Sequence, residues 1–118
     1  MTAQPEHKLQ VSVAQMLTFG LPPSIWWTAN AAGVRVLPGV AGKMKAAGVR
    51  RGWPDLQILC PDGKTRYIEL KVKATLSPEQ RAFRDHAKPL GLWALARSVD
   101  DVADAISGWG VEMRVRLT

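Results

Sequence analysis

The spacing of hydrophobic positions changes several times along the chain, and each change marks an element. From Pro5 to Phe19, Leu9, Val13, Met16 and Leu17 recur at helical spacing. Gly20 and Pro22-Pro23 end the run, which predicts an amphipathic helix. Ser24–Asn30 (SIWWTAN) has strand composition and sends Trp26 and Trp27 to opposite faces, one of them toward a core. A stretch rich in Gly and Ala follows, then Lys43 to Ala47, a short helix at best. Leu56–Cys60 and Tyr67–Val72 are apolar runs of strand length separated by Pro61-Asp62-Gly63-Lys64, which predicts a β-hairpin. Ser77-Pro78-Glu79-Gln80 opens a helix with Ser as N-cap, Pro at the first position and Gln in the capping-box position. Its inner stripe is Gln80, Phe83, Ala87 and Leu90. Leu92–Ala96 is a continuous apolar strand. A helix from Ser98 or Asp100 to about Ser107 turns Val102, Ala105, Ile106 and Trp109 inward, with Gly108 and Gly110 as its stop. Val111 to Leu117 alternates cleanly, which predicts a last strand with one wet face at a sheet edge, placed to pair with a second copy or guarded by its charges. The fold class is α/β, a mixed β-sheet flanked by helices.

The hairpin turn sets a register. Cys60-Pro61-Asp62-Gly63 puts Pro where a type I turn wants φ near about −65° and Gly where the chain then enters the left-handed region. This is a three-residue loop ending in a glycine bulge. Cys60 closes against Lys64, so Asp55 falls opposite Glu69, and Lys71 lies two residues further along the same face. One face then carries Leu56, Ile58, Cys60, Ile68, Leu70 and Val72 and is the core face. The other carries Asp55, Gln57, Tyr67, Glu69 and Lys71. Two carboxylates directly across a ladder repel, and a cation between them removes that cost. A hard divalent cation held by two carboxylates, a backbone carbonyl and waters suits the arrangement, with Lys71 beside it to orient a nucleophilic water. A two-residue loop would shift the register by one and put the acids on opposite faces.

Charge sharpens this picture. Between Gly33 and Lys73 there are nine basic residues (Arg35, Lys43, Lys45, Arg50, Arg51, Lys64, Arg66, Lys71, Lys73) against three acids. The surplus of six equals the whole net charge of +6, since the remainder balances at seven against seven. An excess gathered around the acid pair is what a polyanionic substrate requires, although a solvated basic surface gives the same count. With 118 residues and 47% hydrophobic content, the chain suits one domain over 1–118 rather than two. Cys60 is alone, which excludes a disulfide framework and a cysteine zinc site. There is no signal peptide and no apolar run long enough to span a bilayer, so the expected compartment is a reducing cytosol.

At these residues the chain resembles a known superfamily. Pro54-Asp55 followed by Glu69-Leu70-Lys71 is similar to the PD-(D/E)xK nuclease signature. In wider context GVRRGWPD (48–55), IELK (68–71) and LSPEQRAF (76–83) resemble the VRR-NUC family of small nucleases found in phages, bacteria and DNA-repair enzymes. The resemblance runs from Glu6 to Gly110. It implies a PD-(D/E)xK core: a helix, a three-stranded antiparallel unit, then a helix and a further parallel strand. It also implies Mg²⁺- or Mn²⁺-dependent hydrolysis of phosphodiester bonds in DNA. Asp55, Glu69 and the backbone carbonyl of Leu70 would be the metal ligands, with Glu6 completing a second position or holding a ligating water. Lys71 would position or deprotonate the nucleophile, and Gln80 would meet the scissile phosphate or a water.

Each role has a plainer counterpart. An acid such as Glu6 is favoured in any first helical turn, and Gln80 is explained by capping alone. Gln10, one turn beyond Glu6, is a weaker candidate. Lys43, Lys45, Arg50 and Arg51 would track the nucleic-acid backbone, and Arg84 would reach a phosphate. Trp53 is a stacking surface or a packing residue, and His86 is a surface or packing residue rather than a ligand. The expected substrate is branched DNA, such as a four-way junction or a flap. One site cuts one strand, so paired incisions need a homodimer. The chain shows no separate segment for lesion or junction recognition, which favours action as a dimer or a subunit, in the cytoplasm of a bacterial or phage-infected cell. The rival is a catalytically silent nucleic-acid-binding module on the same fold. The intact Asp55, Glu69 and Lys71 argue against it. A sequence-specific restriction nuclease would want more chain for base readout.

Overall fold

In the computed structural model, which describes residues 5–30 and 37–114, the hairpin is the centre of the sheet. The elements in order are α1 (Pro5–Gly20), β1 (Trp26–Ala29), α2 (Pro38–Ala46), β2 (Leu56–Leu59), β3 (Thr65–Leu70), α3 (Pro78–Ala87), a 3-10 turn (Lys88–Leu90), β4 (Trp93–Ala96) and α4 (Val99–Gly108). The sheet order is β1-β2-β3-β4, with β1, β2 and β3 antiparallel and β4 parallel to β3. A parallel pair needs a crossover, and α3 provides it. The result is a mixed α/β fold. Among the described residues no helix is long and apolar enough to cross a membrane.

The turn is the three-residue type. The Cys60 N–H donates to the Lys64 carbonyl at 2.9 Å, the Gly63 N–H donates to the Cys60 carbonyl at 2.9 Å, and Gly63 has φ 83°. The register that follows pairs Leu56 with Ile68 and Gln57 with Tyr67. Arg66 fastens the turn, donating to both Asp62 carboxylate oxygens at 3.0 and 2.7 Å and to the Gly91 carbonyl at 3.0 Å. Its charge is thereby matched internally.

The core lies on one face of the sheet. Leu56, Ile58, Cys60, Ile68 and Leu70 are buried with Val13, Met16 and Leu17 of α1 and Val102, Ala103 and Ile106 of α4. Trp27 packs against this core, while Trp26, on the other face, is 75% exposed. On that other face α3 brings Phe83 against Tyr67 and Trp53, with ring centroids 5.0–5.7 Å apart. Trp53 is thus a packing residue that keeps an exposed edge.

Four segments depart from the sequence pattern. β3 begins at Thr65 and ends at Leu70 rather than running from Tyr67 to Val72. After the Lys71 N–H bonds the Ala96 carbonyl the chain leaves the sheet, so Val72 is only half-buried and its carbonyl accepts from Arg97. α2 is longer than a short helix at Lys43–Ala47, because Pro38 suits a first turn and starts it early. The stripe of α3 stops at Ala87: Pro89 has no N–H to continue the helix, the chain tightens into the 3-10 turn, and Leu90 is turned out. Over Val111–Arg114 there is no strand. Val111 is buried and Arg114 exposed as the alternation requires, but the Arg114 N–H caps α1 at the Gly20 carbonyl, 2.6 Å away. The rest of the expected last strand lies outside the described residues.

The loop before β2 is held by a close approach. Gly52 has φ 91°, and a Cβ there would lie 2.8 Å from the Cβ of Glu79 and 2.9 Å from its backbone. Gly52→Ala should therefore cost about 1–3 kcal/mol of stability, from left-handed strain and a contact with helix backbone that cannot yield. Urea unfolding measures it, and an unchanged midpoint would contradict the packing described.

Candidate active site

Asp55 is anchored from two sides. Its carbonyl accepts from the Asn30 N–H at 2.8 Å, extending the β1–β2 ladder by one rung. Its Oδ2 accepts from the Leu70 N–H at 2.7 Å. Glu69, next to Leu70 on the opposite face, is 2% exposed and is the only buried polar or charged residue among those described. Its Oε2 accepts from the Gln80 Nε2 at 3.4 Å. Its Oε1 is buried with no hydrogen-bond partner among the described residues. Burial, and then the neighbouring Asp55 carboxylate, push Glu69 up to about 9.

Lys71 extends the same face. Its Nζ lies 3.6 Å from Glu6 Oε1, so the first turn of α1 holds the lysine beside the acid pair. Gln80 serves two purposes: its Oε1 accepts from the Ser77 N–H at 2.8 Å in the capping box, while its Nε2 reaches Glu69. This glutamine therefore caps α3 and reaches Glu69 at once. The fold brings Asp55, Glu69, Leu70, Lys71, Gln80 and Glu6 together from α1, β2, β3 and α3. Glu6 pairs with Lys71, and among the described residues no three of His, Cys, Asp and Glu gather into a metal-holding cluster. The donors available to a cation are two carboxylates and a backbone carbonyl.

A cavity of about 270 Å³ opens beside Asp55, lined by Arg51, Asn30, Trp53, Ser77 and Gln80 among others. Arg51 thus shares this cavity with Asp55, and Arg50 is exposed next to it. Lys43 and Lys45 are exposed in the last turn of α2, where a cation also complements the helix dipole. Arg84 pairs with Asp85 at 3.0 Å and does not line the cavity, and His86 is exposed.

No family model and no curated protein matches the sequence. Solved structures do match. One described as a "VRR_NUC domain protein" superposes with a TM-score of 0.60 over 100% of both chains at 18% identity. Another, described as a "VRR_NUC domain", gives 0.56 over 91% of this chain and 99% of its own at 17% identity. The chain has the VRR-NUC fold. The expected order, an antiparallel trio and then a parallel strand, is present.

Within that fold, two features of the site were missed from the sequence. Asn30 follows from continuing the β1 register by one residue, which brings it opposite Asp55. The contact of Gly52 with Glu79 has no local signal, because it joins segments that only the tertiary fold brings together.

The buried acid gives a pH dependence. The unfolded chain releases the Glu69 proton near its ordinary 4.5, whereas the folded, metal-free protein keeps it to about 9. Its contribution to stability is full at acid pH and is lost as pH rises between those values. In EDTA the melting temperature should fall from about pH 5 to pH 9, and Glu69→Gln should remove that decline. A wild-type profile flat over the window would contradict the burial of this acid.

Proposed function

We propose that the chain is a metal-dependent endonuclease that hydrolyses phosphodiester bonds in DNA, acting on branched substrates such as four-way junctions or flaps. The observation that carries this reading is the Glu69 Oε1 atom, a buried carboxylate oxygen beside a second carboxylate with no protein donor among the described residues. Leaving such an atom unmatched is costly, and a cation is the partner that also relieves the repulsion from Asp55. The donors fit: they are all oxygens, which suits Mg²⁺ or Mn²⁺, and the only cysteine lies on the core face.

Asp55, Glu69 and the Leu70 carbonyl would hold the ion, with Glu6 contributing charge from behind Lys71. When bound, such an ion polarises a phosphate oxygen, lowers the pKa of water and stabilises the leaving oxygen. Lys71 orients the attacking water and offsets negative charge as the phosphorane-like transition state forms. Glu6 keeps the Lys71 ammonium turned toward the site, and Gln80 fixes the carboxylate plane of Glu69. Arg51 in the cavity, with Arg50, Lys43 and Lys45, holds the sugar-phosphate backbone through charge alone, so binding tolerates many sequences. A single site cuts one strand, and paired incision calls for a homodimer. Its proposed setting is the cytoplasm of a bacterial or phage-infected cell.

Cleavage of supercoiled, flapped, single-stranded and four-way-junction DNA with Mg²⁺, Mn²⁺ or EDTA tests the proposal. Activity should require the metal, vanish in Asp55→Ala and fall by at least about 100-fold in Lys71→Ala. DNA binding should survive in both, and weaken in Arg50→Ala/Arg51→Ala with a salt slope reduced by about one per lost phosphate contact. Tight binding without cleavage on any substrate would favour a silent binding module, and full activity in Asp55→Ala would refute the site.

A further inference from the structure

Backbone bonding alternates along the two central strands. The Cys60–Lys64 bond starts the β2–β3 ladder, so Ile58 with Arg66 and Leu56 with Ile68 are its hydrogen-bonded pairs. Asp55 faces the other way and bonds Asn30. Beyond the Leu56–Ile68 pair the chain bends at Asp55, and continuing the same alternation by one rung sets Pro54 opposite Leu70. On β3, Tyr67 and Lys71 direct their N–H groups to the Leu92 and Ala96 carbonyls, so the N–H and C=O of Leu70 point back toward β2. There the N–H finds Asp55 Oδ2. On the continued register the residue opposite that carbonyl is a proline, which has no N–H to give. At this last rung a carboxylate replaces the backbone acceptor, and among the described residues no amide replaces the backbone donor.

We propose that Pro54 is a positioning residue for the metal site. By lacking an N–H it keeps the Leu70 carbonyl out of the ladder and available as a ligand, and it leaves the Leu70 N–H to the Asp55 carboxylate. The inference rests on the metal-binding reading above. Any other residue at position 54 supplies a donor and lets the hairpin zip by one rung. That engages the Leu70 carbonyl, draws its N–H toward the backbone and releases the Asp55 side chain. The proline ring is itself fully buried, so a packing role has to be separated from the missing amide.

Mn²⁺ binding to the full chain, measured by calorimetry, separates them when wild type is compared with Pro54→Ala and with N-methylalanine installed at position 54 by semisynthesis. Pro54→Ala should weaken binding about tenfold or more, the scale for groups that orient metal ligands, and its new amide should be protected from hydrogen exchange. N-methylalanine loses the same ring but has no N–H, and it should bind as wild type does. Wild-type affinity in Pro54→Ala, or N-methylalanine as weak as Pro54→Ala, overturns the inference while leaving the metal site standing. If Pro54→Ala does not fold, the N-methylalanine protein decides alone: wild-type affinity supports the role of the amide, and weak binding overturns it. Absence of Mn²⁺ binding in the wild type overturns the metal-site reading itself and this inference with it.

Discussion

Glu69 is buried against Asp55, with one carboxylate oxygen that no described residue satisfies. A buried polar atom without a partner costs about 1–3 kcal/mol, and a charged one costs more. The metal-free fold limits that cost by keeping Glu69 protonated. Everything near the pair serves to hold this unfavourable arrangement. The Leu70 N–H fixes Asp55, the capping glutamine of α3 fixes Glu69, and α1 supplies Glu6 to keep Lys71 in place.

The chain achieves this with regular elements. Asp55 and Glu69 meet because a three-residue turn fixes one register, and the same register puts Leu56, Ile58, Ile68 and Leu70 on the core face under α1 and α4. Slipping by one residue would bury Gln57 and Tyr67 and expose the core, so packing and site geometry enforce the same pairing. Across the sheet, Trp53, Tyr67 and Phe83 fasten α3, and Gly52 lets the basic loop lie directly on the first turn of that helix. Arg51 is thereby carried to the cavity beside Asp55.

Much of this was legible in the sequence where the signals were local. The Pro-Asp-Gly turn dictated the register, the Leu9, Val13, Met16 and Leu17 spacing marked the buried stripe of α1, and Ser77 with Gln80 marked the start of α3. Where tertiary contacts compete, local pattern failed. Val72 has strand chemistry, but the sheet ends at the site. The alternation after Val111 serves packing and an α1 cap over its described part. Leu90 continues a helical stripe past a proline that ends the helix. That Glu69 would be the most enclosed acid, and that Gln80 would reach it, depends on how α3 lies on the sheet, which residue spacing within either element does not encode.

The central claim is that the Asp55–Glu69 pair is built for a divalent cation. Its most direct test is the number of protons released when Mn²⁺ binds, obtained near neutral pH by calorimetry in buffers of different ionisation enthalpy. With burial beside Asp55 holding the Glu69 carboxyl protonated above the usual carboxylate range, a cation bound there should displace about one proton per ion, and Glu69→Gln should abolish both the binding and the release. Binding without proton release, or undiminished binding in Glu69→Gln, would contradict the account.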